Sequence, residues 1–594
     1  IHVIANLRGT GFSKGQYDGI WTRTQANDGY DLIEWIAAQP WCDGNVGMVG
    51  DSYYAAIQWI IAATRPPHLR CIAPMDAGTD LYKIARPGGM PFNFFFGMWG
   101  MDTLAQIAWP GPLEGKEPPQ NFLYDMMSHN EDDEFWRERS SIEKIDQIEV
   151  PCMSLVPAHG FLHTLTQLQA YPKIKAPKKL VVTPHAGHFA HVLLHDNFHL
   201  KEHLIKWFDH WLKGIDTGIM DEPEVAIFDN GTKEWIYEDE YPLARTEWKK
   251  YYLRSNPEQR LVQPSGLLNT EPAESPEPPD VIVMPQCMPA VAKGEPVLAY
   301  STPSLDEDVR VCGPLSLVVN GASTTLDTCW FVKVQDEWPS GKREVLTEGA
   351  LKASFRTVDR SKSKPGQPAH TWKEPVRPEP NKVYEYEVEL TPIFHTFRKG
   401  HKIWVEIAVD NFAHHFPVHT IYTSEMVPVP AANQVFRDAN FQSHLLLPVI
   451  PEAESRGPVE WPLSGCRFEV GYGKIVLLGN RHEKMSQEEF QTHWMEGTHA
   501  KTEHSFHDGT RRCVVSFLNG QMAKAKAGEA FPEASEKPMF DCMVELSGNL
   551  ADMLASQTPE VEASKKALFE DELEMMMGDK YAFLFVEEHD LTEI

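Results

Sequence analysis

The segment Val46-Gly47-Met48-Val49-Gly50-Asp51-Ser52-Tyr53-Tyr54-Ala55-Ala56-Ile57 leaves the chain few ways to fold. A short apolar run ends in Gly-x-Ser and passes straight into a helix-forming stretch, Ala55 through Ala63. Strand, tight turn and helix in that order make a nucleophile elbow, in which the turn lifts a serine hydroxyl above the end of a sheet. Crowding in such a turn calls for small residues, here Gly50 and Ala55. The plainer alternative makes Ser52 only the N-cap of a helix that follows a buried strand.

The flanking sequence says what kind of sheet this is. Val3–Leu7 reads as a buried strand, followed by the loop Arg8-Gly9-Thr10-Gly11-Phe12-Ser13-Lys14-Gly15. An amphipathic helix over Asp28–Ala38 turns Leu32, Ile33, Trp35 and Ile36 inward, and Leu69–Ala73 is the strand after the elbow helix. Apolar strands alternating with helices imply a parallel sheet covered on both faces. The glycine-rich loop lacks GxGxxG and a Lys-Ser/Thr ending, so it reads as a turn rather than a phosphate cradle. Residues 85–145 interrupt the alternation with Pro87-Gly88-Gly89 and the aromatics Phe92, Phe94, Phe95, Phe96 and Trp99. They read as a helical cap whose aromatics line either a substrate wall or the cap's own core. Strands resume at Val150–Val156 and Lys179–Thr183. A closing helix over Asp196–Leu212 carries Phe198, Leu204, Ile205, Phe208 and Leu212 on its apolar face.

A chain of 594 residues exceeds one hydrophobic core, and about three domains are expected. The α/β region spans 1–245. Residues 246–470 carry short alternating runs between Pro, Gly, Asn and Asp turns and read as a β-sandwich. From 471 the order changes to strand Lys474–Leu478, helix Ser486–His499 opened by a Ser486/Glu489 capping box, strands Cys513–Leu518 and Phe540–Leu546, helix Glu560–Leu573 and strand Tyr581–Glu587. That order fits a small α+β domain with an antiparallel sheet. With 55 Lys and Arg against 84 Asp and Glu, the net charge of −29 argues against nucleic acid or an anionic membrane as partner. Nine scattered cysteines fit free thiols in a reducing, cytoplasmic setting, and no apolar run is long enough to span a membrane. No leader is read, and the start at Ile1 inside an apolar run is taken as the loss of preceding residues.

Serine is a poor nucleophile at neutral pH and needs an imidazole, itself oriented by a carboxylate. The histidine belongs in the loop after the last core strand, Pro184-His185-Ala186-Gly187-His188-Phe189-Ala190-His191, where His188 is the choice and His185 and His191 are alternatives. The usual acid position, just past Val150–Val156, reads Pro157-Ala158-His159-Gly160-Phe161-Leu162-His163-Thr164, with no Asp or Glu. The acid is therefore sought after Leu69–Ala73, at Asp76 or Asp80, which have a competing reading as caps of the following helix. The backbone N–H of Tyr53 is the expected oxyanion donor. His195, His199 and His203 recur four apart on one helix and are read as solvent-facing, with no metal and no cofactor expected.

These blocks resemble the CocE/NonD hydrolases, the group of cocaine esterase and the X-prolyl dipeptidyl-peptidases. The likeness rests on Arg8-Gly9-Thr10-Gly11, Ile33-Glu34-Trp35-Ile36, Gly47-Met48-Val49-Gly50-Asp51-Ser52-Tyr53, Arg65-Pro66-Pro67-His68-Leu69, Asp80-Leu81-Tyr82 and Phe208-Asp209-His210-Trp211-Leu212-Lys213-Gly214. It continues in Gly313-Pro314-Leu315, Leu326-Asp327-Thr328 and Gly349–Arg356, which match the family's jelly-roll domain. The resemblance implies an α/β-hydrolase with a helical cap, hydrolysing an ester or amide through an acyl-enzyme on Ser52. Tyr53 would be the amide donor and His188 the base, with a second oxyanion donor, a tyrosine hydroxyl, from a segment before residue 1. Three positions depart from the pattern: Gly160 or Phe161 where the acid stands, Asn6 before the Arg-Gly loop, and Ala55 for the usual glycine. Residues 471–594 resemble the EthD-like dimeric α+β barrels through Ser486, Glu488, Glu489, Phe490, His493, Trp494 and His499. That implies a ferredoxin-like fold, a homodimer and a small secondary-metabolite substrate, with His493 and His499 either lining a pocket or packing.

Overall fold

The structure, a computed structural model, describes residues 1–92 (apart from 2 and 12), 122–159, 163–186, 200–256, 265–284, 297–409 and 431–451, and four strands beyond residue 471. The chain forms two compact units, residues 1–189 with 204–459, and residues 190–203 with 460–594.

The first unit is built on a six-stranded sheet: β1 (Val46–Asp51), β2 (Leu69–Met75), β3 (Cys152–His159), β4 (Lys178–Ala186), β5 (Val225–Asp229) and β6 (Glu234–Glu238). The strands lie side by side in chain order. β1 through β5 are parallel, and β6 turns back antiparallel on β5. Strands buried on both faces must be nearly continuously apolar, as Cys71–Met75 and Cys152–Val156 are. Val3–Leu7, expected as a buried strand, joins no ladder, and Ile4 is 76% exposed. β1 is the edge of the described sheet, and among the described residues the segment is bonded by its own following loop, as in Ser13 Oγ donating to Asn6 O at 2.9 Å.

Helix α1 (Arg23–Ala37) begins earlier than its apolar pattern indicates, because Thr22 caps it by accepting from the Gln25 N–H at 3.2 Å. Ile33 is buried as expected, but Trp35 is 55% exposed and meets Trp41 edge-on. Two residues on a helix are about 200° apart, so both cannot face the core. α2 (Tyr53–Ala62) buries Ala55, Ala56, Trp59 and Ile60. The remaining helices that bear on the site are α3 (Leu81–Ala85), α4 (Phe122–Ser128), α5 (Glu134–Arg139), α6 (Thr164–Ala170) and α7 (Leu200–Lys213). On α7 the expected face is rotated: Trp207 and His203 are buried while Ile205 is 44% exposed. His203, read from the sequence as solvent-facing, sits one turn from Trp207 and shares its face. Phe208 and Leu212 do pack inward, against Gly47 of β1. Of residues 85–145, expected as a helical cap, the helices α4 and α5 are described; Phe94, Phe95, Phe96 and Trp99 lie outside the described residues, as do His195 and His199.

Eleven strands between Glu247 and Val449 form one further sheet. Its long strands Val309–Ser323 and Tyr384–Phe397 pair antiparallel from Val309↔Phe397 to Gly321↔Tyr384. Tyr384–Phe397 also pairs with Arg343–Lys352 at the far end of the strand order, so the sheet closes on itself and is barrel-like. Its inward residues share one hydrophobic core with the α/β sheet. Polar ties join them: Asp229 of β5 accepts from the Thr396 N–H at 2.9 Å, and Glu389 accepts from Lys83 Nζ at 3.0 Å and Gln169 Nε2 at 2.7 Å.

In the second unit, Tyr472–Gly479, Thr510–Phe517, Cys542–Asn549 and Ala582–Val586 make a four-stranded antiparallel sheet. The helices expected at 486–499 and 560–573, with His493 and His499, lie outside the described residues. Among the described residues no helix is long and apolar enough to cross a membrane.

Candidate active site

Ser52 stands between β1 and α2 at φ 58°, ψ −118°. A non-glycine residue held at positive φ is strained and persists only where its surroundings enforce it. Here the Ser52 N–H donates to Met75 O of β2 at 3.0 Å, and its carbonyl accepts from the N–H groups of Ala55 and Ala56. Gly50 is required by the same turn, since a Cβ there would come within 2.6 Å of Tyr54 Cβ. The Ser52 side chain makes no capping hydrogen bond. The N-cap alternative therefore does not use the hydroxyl, which the elbow presents instead.

The Tyr53 N–H lies in the first turn of α2, where backbone donors have no partner inside the helix and the dipole favours negative charge. The Tyr53 phenol is engaged elsewhere. It donates to Gln25 Oε1 at 2.8 Å, and Gln25 Nε2 donates to Gly19 O at 2.6 Å. Burial, reinforced by Tyr17, pushes the Tyr53 phenol well above its usual pKa, so it stays protonated.

Asp76 is the first residue past β2 and is 1% exposed. Its φ is 46°, and its N–H donates to Leu155 O of β3 at 2.9 Å. Because Ser52 bonds to Met75, the serine and the aspartate stand at the tops of neighbouring parallel strands. Asp80 serves differently: its carboxylate caps α3 by accepting from the Lys83 N–H at 3.2 Å. Burial raises the Asp80 carboxyl, with Lys83 opposing the shift. The sequence held the cap role open for both aspartates; the structure puts Asp80 in it.

β4 runs to Ala186, so His185 is on the strand rather than in the loop beyond it. Its side chain, and the whole of His188 and His191, lie outside the described residues.

One histidine at this end of the sheet escaped the reading of the sequence. His163, just before α6 and past β3, is buried. Its Nδ1 lies 2.6 Å from where a Cβ on Gly78 would stand, so Gly78 is what admits the ring. Trp21 lies between, its ring centroid 6.4 Å from that of His163 and 6.2 Å from that of Tyr53. Ser52, Asp76 and His163 thus follow β1, β2 and β3, at the carboxyl ends where α/β sheets place their chemistry. Nothing in the stretch Pro157–Thr164 singles out His163 locally; its approach to Gly78 does.

A serine lifted on a strained elbow over a parallel sheet, beside a buried aspartate on the next strand, defines a serine hydrolase of the α/β type. Residues 1–190 match the family model for X-Pro dipeptidyl-peptidase (S15 family), and residues 217–446 that for the X-Pro dipeptidyl-peptidase C-terminal non-catalytic domain. The chain belongs to these S15 and CocE/NonD hydrolases, and it is an enzyme of the serine-hydrolase class. Cocaine esterase from Rhodococcus sp. is 24% identical over 525 residues, 75% of this chain and 88% of that protein. A CocE/NonD family hydrolase from Staphylococcus aureus superimposes with a TM-score of 0.64 at 22% identity, covering 75% of this chain and 78% of the other. An alpha-amino acid ester hydrolase superimposes with a TM-score of 0.59 at 17% identity, covering 72% and 80%. At such identities the superpositions speak for the fold alone.

Proposed function

We propose that the protein cleaves an ester, lactone or amide bond of a small to mid-sized organic molecule through an acyl-enzyme on Ser52. The observation that carries this reading is the Ser52 hydroxyl, held at φ 58° and unused by the helix it precedes. An imidazole of the 184–191 loop, His188, takes the Ser52 proton as Oγ attacks the carbonyl carbon. The Tyr53 N–H stabilises the oxyanion. The protonated imidazole then gives its proton to the leaving group, and water, deprotonated by the same imidazole, releases the acid and regenerates Ser52. Asp76 replaces the carboxylate missing after β3 and orients that imidazole. Its burial beside the Ser52 turn supports this role.

The test is fluorophosphonate labelling alongside a panel of nitrophenyl esters, lactones and X-Pro amides. Labelling of the native chain at Ser52, absent in Ser52→Ala, with turnover of one substrate class, is the expected result. Gly160 or Phe161 in place of the usual acid favours a second reading, a hydrolase fold that binds or rearranges a pathway intermediate. No labelling, together with tight binding of an aromatic product, would select it.

The reading extends to the other regions. A jelly-roll topology for 246–470 is supported by the closure of its sheet. The strands of the C-terminal sheet, in the order second, third, first, fourth with every neighbour antiparallel, support the ferredoxin-like fold of an EthD-like domain. On that basis the C-terminal domain makes a homodimer and the substrate is a secondary metabolite such as a polyketide. Cysteines 42, 71, 152 and 312 are free thiols, which supports a cytoplasmic setting.

A further inference from the structure

The Asp76 turn is held by a residue from another element. Gln167, on α6, is 1% exposed. Its Oε1 accepts from the Ala77 N–H at 2.7 Å. Its Nε2 donates to Ser154 Oγ at 2.9 Å, Leu155 O at 3.1 Å and Pro74 O at 3.3 Å. These partners bracket Asp76. Pro74 lies two residues before it and Ala77 one after, and Leu155 O is the carbonyl that takes the Asp76 N–H. The preceding residue, Thr166, adds a second tie: its Oγ1 accepts from the Thr79 N–H at 3.1 Å, and its carbonyl accepts from Thr79 Oγ1 at 2.7 Å.

An aspartate tolerates the left-handed region better than most residues, yet a φ of 46° still has to be enforced. A buried amide with both ends satisfied is a stiff enforcer, because moving the turn would strand buried polar groups. The Ser52 N–H hangs on Met75 O inside the same bracketed segment, so one amide fixes the relative height of serine and aspartate.

We infer that Gln167 is a positioning residue of the active site: through the Pro74–Ala77 segment it sets Asp76 against Ser52, and it acts on the reactivity of Ser52 only by way of Asp76. This rests on the reading of Asp76 as the orienting acid. It assigns a hydrolytic role to α6, the helix whose Gln169 is bonded to Glu389 of the β domain.

The test is a double-mutant cycle on the full chain, read as the rate of inactivation by a fluorophosphonate, with the maximal rate and the half-saturating concentration separated. Gln167→Met should lower the maximal rate about 10- to 100-fold and leave the half-saturating concentration within about twofold. In an Asp76→Asn background the same change should cost less than about twofold. Gln167→Glu, whose second carboxylate oxygen meets the Pro74 and Leu155 carbonyls that Nε2 donates to, should lose at least as much as Gln167→Met. If Gln167→Met does not fold, as judged by its thermal transition, Thr166→Val takes its place in the cycle. Equal losses in both backgrounds, or no loss in either while Asp76→Asn is impaired, overturn the inference and leave the acid assignment standing. A fully active Asp76→Asn overturns that assignment and the inference with it.

Discussion

Three side chains carry the consequences at the residue scale. Ser52→Ala should abolish covalent labelling and reduce ester turnover by about 1,000-fold or more, while the thermal transition stays put. Asp76→Asn should lower kcat about 100-fold or more with little change in KM, the pattern of a group that matters in the transition state. Asp132 gives a pH signature outside the site. Burial, and after it the charge of Asp80, raises its carboxyl from 3.8 to about 6. The folded chain therefore holds a proton there that the unfolded chain has released. The stability Asp132 contributes is complete below about pH 4 and is lost as pH rises through about 6. Relative to the native chain, Asp132→Asn should gain thermal stability steadily from pH 4 to 7, and melting curves across that range check it. Ser52 was legible in the sequence because the elbow is local. Asp76 was legible only as one of two aspartates, since its left-handed φ and its bond to β3 are tertiary facts. His163 and Gln167 gave no local signal, because what recommends them is a neighbour some 85 to 90 residues away.

At the scale of elements, the site depends on close approaches that leave no slack. Gly50→Ala would drive a methyl into Tyr54 and should cost about 1–3 kcal/mol in urea unfolding, with labelling of Ser52 lost in step. α3 and α6 are tied to the strand Tyr384–Phe397 through Lys83, Gln169 and Glu389. The Lys83 and Glu389 side chains are 17% and 8% exposed, so the pair is largely desolvated. Lys83→Met leaves the Glu389 charge buried and should destabilise by about 3–5 kcal/mol, and adding Glu389→Leu should restore much of it. Urea titration of the single and double variants measures both. The periodicity of α1 and α7 located the helices but set some side chains on the wrong face. Trp35 and Ile205 are exposed and Trp207 is buried, because hydrophobicity alone does not say which arc of a helix meets the sheet.

For the whole molecule, the α/β sheet and the β domain share one core, and the C-terminal sheet belongs to a second unit. On the EthD-like reading, light scattering of the full chain should give twice its 67.4 kDa mass. A monomeric mass would count against assembly through residues 471–594. What the amino-acid order determined by itself is whatever rests on contacts a few residues apart: the elbow at Ser52, the parallel strands with their buried faces, the shift to β structure near 246, and the strands after 471. What only the tertiary structure decided is which distant segments meet. Strand order sets Asp76 beside Ser52, the cap on α3 takes Asp80, and α6 places His163 against Gly78 and Gln167 around the Asp76 turn. The physical reason is range: a turn's sterics are written in adjacent residues, whereas a buried hydrogen bond needs two partners that the chain brings together only by folding.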